Sequence, residues 1–354
     1  MATPIARFEV RVGGGGKNEV FRARSWGSCL LTPANVGTEQ RNSNPKPRTT
    51  KNAVDVTNPQ ARILARYRKG HAMSGSRRNY PSFAALWSAG ADWHSRRELL
   101  GLWARRYRRV PGRKLLRRLG KSPERFVDLQ LAHGGGCRLR LRRKDGGDHA
   151  SFFENFFEIP YDITEFGTPR LIVDAGAHVG CFTARLHQWF PDAEIVSFEP
   201  EPANAKLLDE NFRLNAIKGR VVDKALWIED TTLEFLAGKS NGGRLAETSS
   251  DFDAKAVAGR LTETVKVPAT SLQSVLGERL KDVDLLKLDI EGAELDVLDH
   301  DLPLVSPKTV ILCEVHYLER NRARFEELLE KHGWTGKLVD DSHPPHSCWI
   351  LRKK

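Results

Sequence analysis

The chain has 354 residues, 40% of them apolar, enough for one large domain or two modest ones around a buried core. No segment repeats at a fixed period, no apolar run approaches the roughly 18 residues that cross a bilayer, and the opening MATPIARFEV lacks the apolar stretch of a secretory signal. The net charge of +11 is unevenly spread: residues 1–150 hold 32 Lys and Arg against 10 Asp and Glu, and residues 151–354 hold 24 against 35.

Such a split reads as a basic extension ahead of an acidic globular unit, and the extension's charge suits nucleic acid, an anionic surface or an acidic glycan. Cys29, Cys137, Cys181, Cys313 and Cys348 show no C-x-x-C or metal-ligand spacing. An odd, scattered set makes a reduced, cytoplasmic compartment the expectation.

Residues 1–72 are rich in Gly, Asn, Pro, Thr and Arg without a sustained period, and are expected to be disordered. Met73 lies where the composition changes, so translation from Met73 is a second expectation. Residues 73–144 read as a basic unit. Within it, apolar positions at helical spacing (Phe83, Leu86, Trp87, Leu99, Leu102, Trp103, Leu115, Leu116, Leu119) among many arginines predict two or three short helices. Their arginines either contact a polyanion or form a solvated face whose apolar stripe packs on the domain behind; the even spread of charge favours the second. FVDLQLA (126–132) and CRLRLRR (137–143), separated by His133 and three glycines, predict a β-hairpin leading into the main domain.

From Arg170 onward the pattern changes. LIVDAG (171–176), EIVSFEP (194–200), GRVVDKALW (219–227), VDLLKLDI (283–290) and TVILCEV (309–315) are short apolar strands, most of them separated by segments of helical spacing. They predict an α/β domain with a doubly wound, mostly parallel sheet of Rossmann-like type. Ligands of such sheets bind beyond the carboxyl ends of the strands, so the residues at those ends carry the chemistry.

The first strand ends in Asp174-Ala-Gly176-Ala177-His178-Val-Gly180. A glycine turn there lets backbone approach a ligand, but His178 and Cys181 stand where a dinucleotide fold wants glycines, which argues against NAD and FAD. Asp174 suits a positively charged ligand; a tight turn with Asp174 bonding loop amides is the alternative. Glu199, ending the second strand about 20 residues later, is placed to accept from the vicinal hydroxyls of a ribose, or to cap the next helix. Asp223, ending the third, is a candidate adenine contact or a solvated strand end. On the fourth, Lys287 and Asp289 share a face of an apolar strand, which is costly unless they pair or serve a site. Glu291 and Glu294 follow, able to join the site or to form a charge cluster at the start of the next helix. Glu314 and His316 share a face at the end of the fifth.

DAGAHVG (174–180), FEPEPANAKLLDENFRLN (198–215), KALW (224–227), ATSLQSVL (269–276), KLDIEGAELDVL (287–298) and ILCEVH (311–316), in this order, resemble the FkbM family of methyltransferases. The resemblance covers roughly residues 145–354, including the approach FFENFFEIPYDI (152–163), and leaves out the basic N-terminal third. It implies a class I fold binding S-adenosyl-L-methionine through Asp174, Gly176, Ala177, His178, Gly180, Glu199 and Asp223. It also implies O-methylation of a small-molecule or glycan acceptor, sugars and macrocyclic natural products among them. His178 stands where the family frequently has asparagine.

Methyl transfer to a hydroxyl needs alignment and a base; His316 is the first candidate base and Asp289 the second, with Glu291 and Glu314 orienting. The spacing carries no divalent-metal signature, although Asp289, Glu291 and Glu314 could converge on an ion. Two other readings use the basic region: a nucleic-acid methyltransferase, weakened by the absence of an Asn/Asp-Pro-Pro-aromatic motif, and an inactive methyltransferase-like binding protein, weakened by the intact Asp174, Gly176, Gly180 and Glu199.

Overall fold

The computed structural model describes residues 81–107, 112–119, 121–132, 136–159, 161–238, 244–245, 261–341 and 346–354. The stretch expected to be disordered and the start suggested at Met73 lie outside them.

Two short polar residues start the first helices: Ser82 Oγ accepts from Ala85 N at the head of α1 (Phe83–Ala89), and Asp92 accepts from Ser95 N at the head of α2 (Trp93–Arg106). After α3 (Arg113–Leu119), β1 (Phe126–Leu131) and β2 (Cys137–Arg142) pair antiparallel with Leu129 opposite Leu139. Alternation puts Val127, Leu129, Leu131, Cys137, Leu139 and Leu141 on one buried face. That face shares a core with Leu99, Leu102 and Trp103 of α2 and with Val179, Cys181, Ala184 and Leu207 of the following domain. Several of the arginines around it are paired: Arg106 with Glu154, Arg140 with Asp128 and Glu210, Arg142 with Asp148, and Arg143 with the fully buried Glu98 at 2.7 Å. Part of the basic charge on these elements is thus answered within the chain.

The helix α4 (Gly146–Phe157), capped by Asp145, leads to β3 (Leu171–Ala175), α5 (Cys181–Trp189), β4 (Glu194–Phe198), α6 (Pro202–Leu214) and β5 (Gly219–Val222). The expected strand over 219–227 is broken at Asp223-Lys224. Its second half, β6 (Ala225–Leu226), leaves the main sheet and pairs with β9 (Leu261–Thr270) in a separate sheet of order β6-β9-β7-β8, with β7 at Thr231–Gly238 and β8 at Arg244–Leu245. Asp223 is exposed at the break. After α7 (Leu272–Leu276) the chain re-enters the main sheet through β10 (Leu285–Leu288), α8 (Glu294–Asp301), β11 (Val310–His316) and α9 (Leu318–Lys331). It closes with β12 (Trp334–Asp340) and β13 (His346–Lys353).

The main sheet has the order β12-β13-β11-β10-β3-β4-β5, parallel except for β13, which runs antiparallel to both β11 and β12. Both faces of the central strands are covered, while β5 and β12 at the edges are largely exposed. Val173, Val196, Leu286, Leu288, Ile311 and Cys313 point into one core, while Ile172, Ile195, Leu285 and Leu312 point into the other. Strands buried on both faces read as continuous apolar runs, which is why they were legible. The chain reverses its direction of travel across the sheet between β3 and β10, the usual place for a ligand in a doubly wound fold. No helix among the described residues is long and apolar enough to cross a membrane.

Candidate functional site

Register sets the site. Lys287 of β10 lies beside Asp174 of β3, which lies beside Ser197 of β4, so the carboxyl ends of these strands are level. Beyond β3 the chain turns through Gly176 (φ 75°), His178 (φ 52°) and Gly180 (φ 84°). A Cβ on Gly176 would sit 1.8 Å from the carbonyl oxygen of Asp289, so glycine here permits contact between two strand ends as well as a positive φ. A Cβ on Gly180 would meet Leu208 Cδ1 at 2.6 Å, where α5 packs on α6. Both glycines thus have packing reasons of their own. Ala177, 4% exposed, donates its N–H to Phe198 O at 2.9 Å and ties the turn to β4.

Glu199 stands at the tip of β4 with its carboxylate already ordered. One oxygen accepts from Glu201 N (3.0 Å) and Asn204 Nδ2 (3.3 Å), and the other from His178 N (2.8 Å). Three of about four lone-pair positions are used, leaving one for a hydroxyl. Burial pushes this carboxyl up to about 7, against those hydrogen bonds. Asn204 also accepts from Arg142 at 2.7 Å, and Arg142 is gripped by the buried Asp148 and lies 3.4 Å from His178 Nε2. The hairpin therefore braces the carboxylate of β4. Burial lowers the His178 pKa, so the ring is neutral.

Asp174 does not reach the surface: it is 0% exposed, accepts from Thr183 Oγ1 at 2.6 Å, and faces Lys287 Nζ at 3.6 Å. Burial raises its pKa, with the Lys287 ammonium and Thr183 working the other way. A direct contact between Asp174 and a cationic ligand is therefore replaced by one with Lys287. That ammonium also meets Asp289 at 3.1 Å and donates to the carbonyls of Ala175 (3.3 Å) and Gly176 (3.0 Å). The shared face of Lys287 and Asp289 has its reason here: the amine joins the ends of β3 and β10. Burial works against the charged form of Asp289, but Lys287 and then His316 hold its pKa below the usual range.

The turn from β10 into α8 places Glu291 at φ 57° and Gly292 at φ 110°. Glu294, 1% exposed, accepts from Ile290 N (3.1 Å) and Gly292 N (3.0 Å), which serves the charge-cluster role expected at this helix start. It also holds His316 Nδ1 at 2.9 Å, while His316 Nε2 lies 3.5 Å from Glu291. Burial alone would favour the neutral ring, but Glu294 and Glu291 outweigh it and raise the His316 pKa well above the ordinary value. As it stands the ring is an imidazolium, a donor rather than a proton acceptor. Glu314, two residues earlier on the same face, is pushed well above the carboxylate range by the charge of Asp289 and by burial. His346 of β13, directly opposite His316, lies 3.5 Å from Glu314. Two triads among the described residues could hold a metal ion, Asp289–Glu291–His316 and Glu314–His316–His346.

The structure thus brings the expected residues into two neighbouring groups. The turn at 176–180 and Glu199 lie across β3 and β4; Asp289, Glu291, Glu314 and His316 lie across β10 and β11. Asp223, exposed past the end of β5, belongs to neither set of contacts. Sequence reasoning missed Arg142, Asp148 and Asn204, whose part depends on the hairpin docking on α6; an arginine in an alternating strand carries no sign of a partner some 60 residues away. His346 was missed as well, because β13 was not foreseen.

The family model described as the methyltransferase FkbM domain matches residues 174–333, a span that contains both groups apart from Arg142, Asp148 and His346. Methyltransferase 1 of Beauveria bassiana (strain ARSEF 2860) is 33% identical over 178 residues, 46% of this chain and 72% of that protein. Methyltransferase sdnD of Sordaria araneosa is 32% identical over 171 residues, 41% of this chain and 65% of that protein. The 31-O-demethyl-FK506 methyltransferase FkbM of Streptomyces tacrolimicus is 27% identical over 196 residues, 47% of this chain and 72% of that protein. Similarity of this extent, falling on the same strand ends that the geometry singles out, establishes that the chain belongs to the FkbM family of methyltransferases.

Proposed function

We propose that the chain binds S-adenosyl-L-methionine over the tips of β3 and β4 and moves its methyl group to a hydroxyl of a sugar or natural-product acceptor held over β10 and β11. The observation that carries this reading is Glu199: a carboxylate at the second strand tip, fixed by backbone amides, with an acceptor position left for a ribose hydroxyl. The site suits the donor for a second reason, since the turn at 176–180 approaches as backbone and the partly exposed carboxylates of Asp289 and Glu291 stand at the neighbouring strand tip, where they answer the charge of a sulfonium. The name of the FkbM relative, an O-demethyl substrate's methyltransferase, favours oxygen as the acceptor atom.

Methyl transfer from sulfonium is an in-line displacement, so fixing oxygen, carbon and sulfur in line is the main task and is worth on the order of 7–11 kcal/mol. The hydroxyl proton must also leave. His316, clamped as an imidazolium, is a poor acceptor at neutral pH, whereas a carboxylate whose pKa is raised toward the working pH is a good one. Glu314 is therefore the base in this proposal, with His316 orienting the acceptor and Asp289 and Glu291 beside it. The sign is simple: the base form of Glu314 grows as pH rises through its raised pKa, so turnover climbs above neutrality. Glu314→Gln is expected to lower kcat by roughly 10²–10⁴ and to abolish that climb while the donor Kd is kept. Calorimetry with S-adenosyl-L-methionine and NAD side by side tests the cofactor; binding of NAD alone would end the proposal.

A further inference from the structure

We propose that the tips of β10 and β11 bind a divalent first-row cation through Asp289, Glu291 and Nε2 of His316, the cation displacing the Nε2 proton of the imidazolium to solvent. The inference rests on the acceptor-side reading given above and assigns a ligand to it.

Three observations converge. First, one ligand atom from each of the three residues lies within 4.8 Å of the others. An ion with bonds of roughly 2.0–2.2 Å holds ligand atoms roughly 3–4.5 Å apart, so little movement is required. Second, His316 is mounted as a ligating histidine is. Its Nδ1 is bound to Glu294, which is buried and itself fixed by two backbone amides, so only Nε2 is turned toward Glu291. A carboxylate on the far nitrogen is the common support of a metal-bound imidazole, because it sets the tautomer and the ring plane. Third, once His316 gives up its Nε2 proton, the carboxylates of Asp289, Glu291 and Glu294 at this corner lose its positive charge and keep the ammonium of Lys287, which is itself shared with Asp174 and two carbonyls.

Exposure agrees with access by an ion. The side chains of Asp289 and Glu291 are 30% and 35% exposed, while His316 forms the floor. The second triad, Glu314–His316–His346, competes for the same imidazole but supplies one carboxylate instead of two. Two carboxylates and one imidazole suit Mn²⁺, Fe²⁺, Co²⁺ or Zn²⁺ better than Ca²⁺ or Mg²⁺, which favour oxygen alone.

Three protein ligands leave coordination positions open, and a hydroxyl bound there loses its proton more readily. The O–H bond breaks and its proton passes to the carboxylate of Glu314. The oxygen then forms its bond to the methyl carbon as the carbon–sulfur bond breaks and the sulfonium becomes a thioether.

The test uses the full chain, stripped with chelator and titrated with Mn²⁺ alone, following loss of the free-ion electron paramagnetic resonance signal. One tight site per chain is expected. Glu291→Gln and Glu294→Gln should each weaken it by at least 10-fold, Glu294 acting only through His316. His346→Ala should leave it within about threefold, and unfolding midpoints report whether each variant stays folded. Absence of bound Mn²⁺, or wild-type binding by folded Glu291→Gln, overturns the proposal; so does loss of the ion in His346→Ala while Glu291→Gln retains it. Calorimetry of S-adenosyl-L-methionine on the stripped chain separates the two readings. Donor binding without Mn²⁺ binding removes the cation alone, and no donor binding removes the methyl-transfer reading whatever Mn²⁺ does.

Discussion

Replacing Lys287 by methionine keeps most of the aliphatic stem and removes the ammonium that Asp174 and Asp289 face. Asp174 is wholly buried, and its Oδ1 has no hydrogen-bond donor of its own, so the variant strands a carboxylate in the core. Breaking a buried pair from one side typically costs about 3–5 kcal/mol. The Asp289 share should be smaller because water reaches 30% of that side chain, while the carbonyls of Ala175 and Gly176 also lose a donor. We expect Lys287→Met to lower unfolding stability by about 3–5 kcal/mol in urea titrations at pH 7. Lys287→Met with Asp174→Asn should recover part of the loss, with a coupling energy of about 1–3 kcal/mol. The pH dependence has a definite sign. Without the ammonium the folded-state pKa of Asp174, already raised by burial, rises further above its unfolded value, so stability is lost as pH climbs from the unfolded pKa through the folded one. The variant should therefore be least impaired near pH 4. A loss under about 1 kcal/mol at pH 7, or strictly additive single and double variants, would refute the argument that this amine neutralises the strand ends.

Gly176→Ala combines a left-handed φ, worth about 1–2 kcal/mol, with overlap onto a backbone carbonyl 1.8 Å away, so thermal unfolding should show a loss of about 3 kcal/mol or more. Gly180→Ala, blocked by the end of a leucine side chain, should lose less in the same assay. Because burial lifts Glu199 to about 7, donor affinity should strengthen as pH rises through that value and then level off; calorimetry on Glu199→Gln should find weaker binding without that step. Stability moves the opposite way, falling as pH rises from the ordinary glutamate pKa toward 7, since the folded state holds the proton more tightly. Identical pH profiles for wild type and Glu199→Gln would remove Glu199 from the donor site.

How far the amino-acid sequence could be read follows from what each feature depends on. Four of the five apolar strands, β3, β4, β10 and β11, were legible because burial on both faces leaves a continuous apolar run, whereas β5 lies exposed to half-buried at the sheet edge. The hairpin was legible because one-sided burial leaves an alternation. Strand-end carboxylates could be picked out because parallel connectivity assigns them to one edge of the sheet before any side chain is placed. Lys287 could be recognised as needing a partner, since an amine in an apolar strand is costly alone. Pairing between distant segments left no such local trace. The break at Asp223-Lys224, the separate sheet of β6 to β9 and the antiparallel β13 are set by which strand finds which edge, a long-range outcome. Protonation was beyond sequence as well: His316 is an imidazolium because a buried glutamate 22 positions earlier reaches its ring, and Asp174 is sealed from any ligand because an amine 113 positions later covers it. Composition and period chose the architecture and the edge of the sheet that matters; packing, by setting distance and access to water, decided which of those residues carry charge and which can touch a substrate.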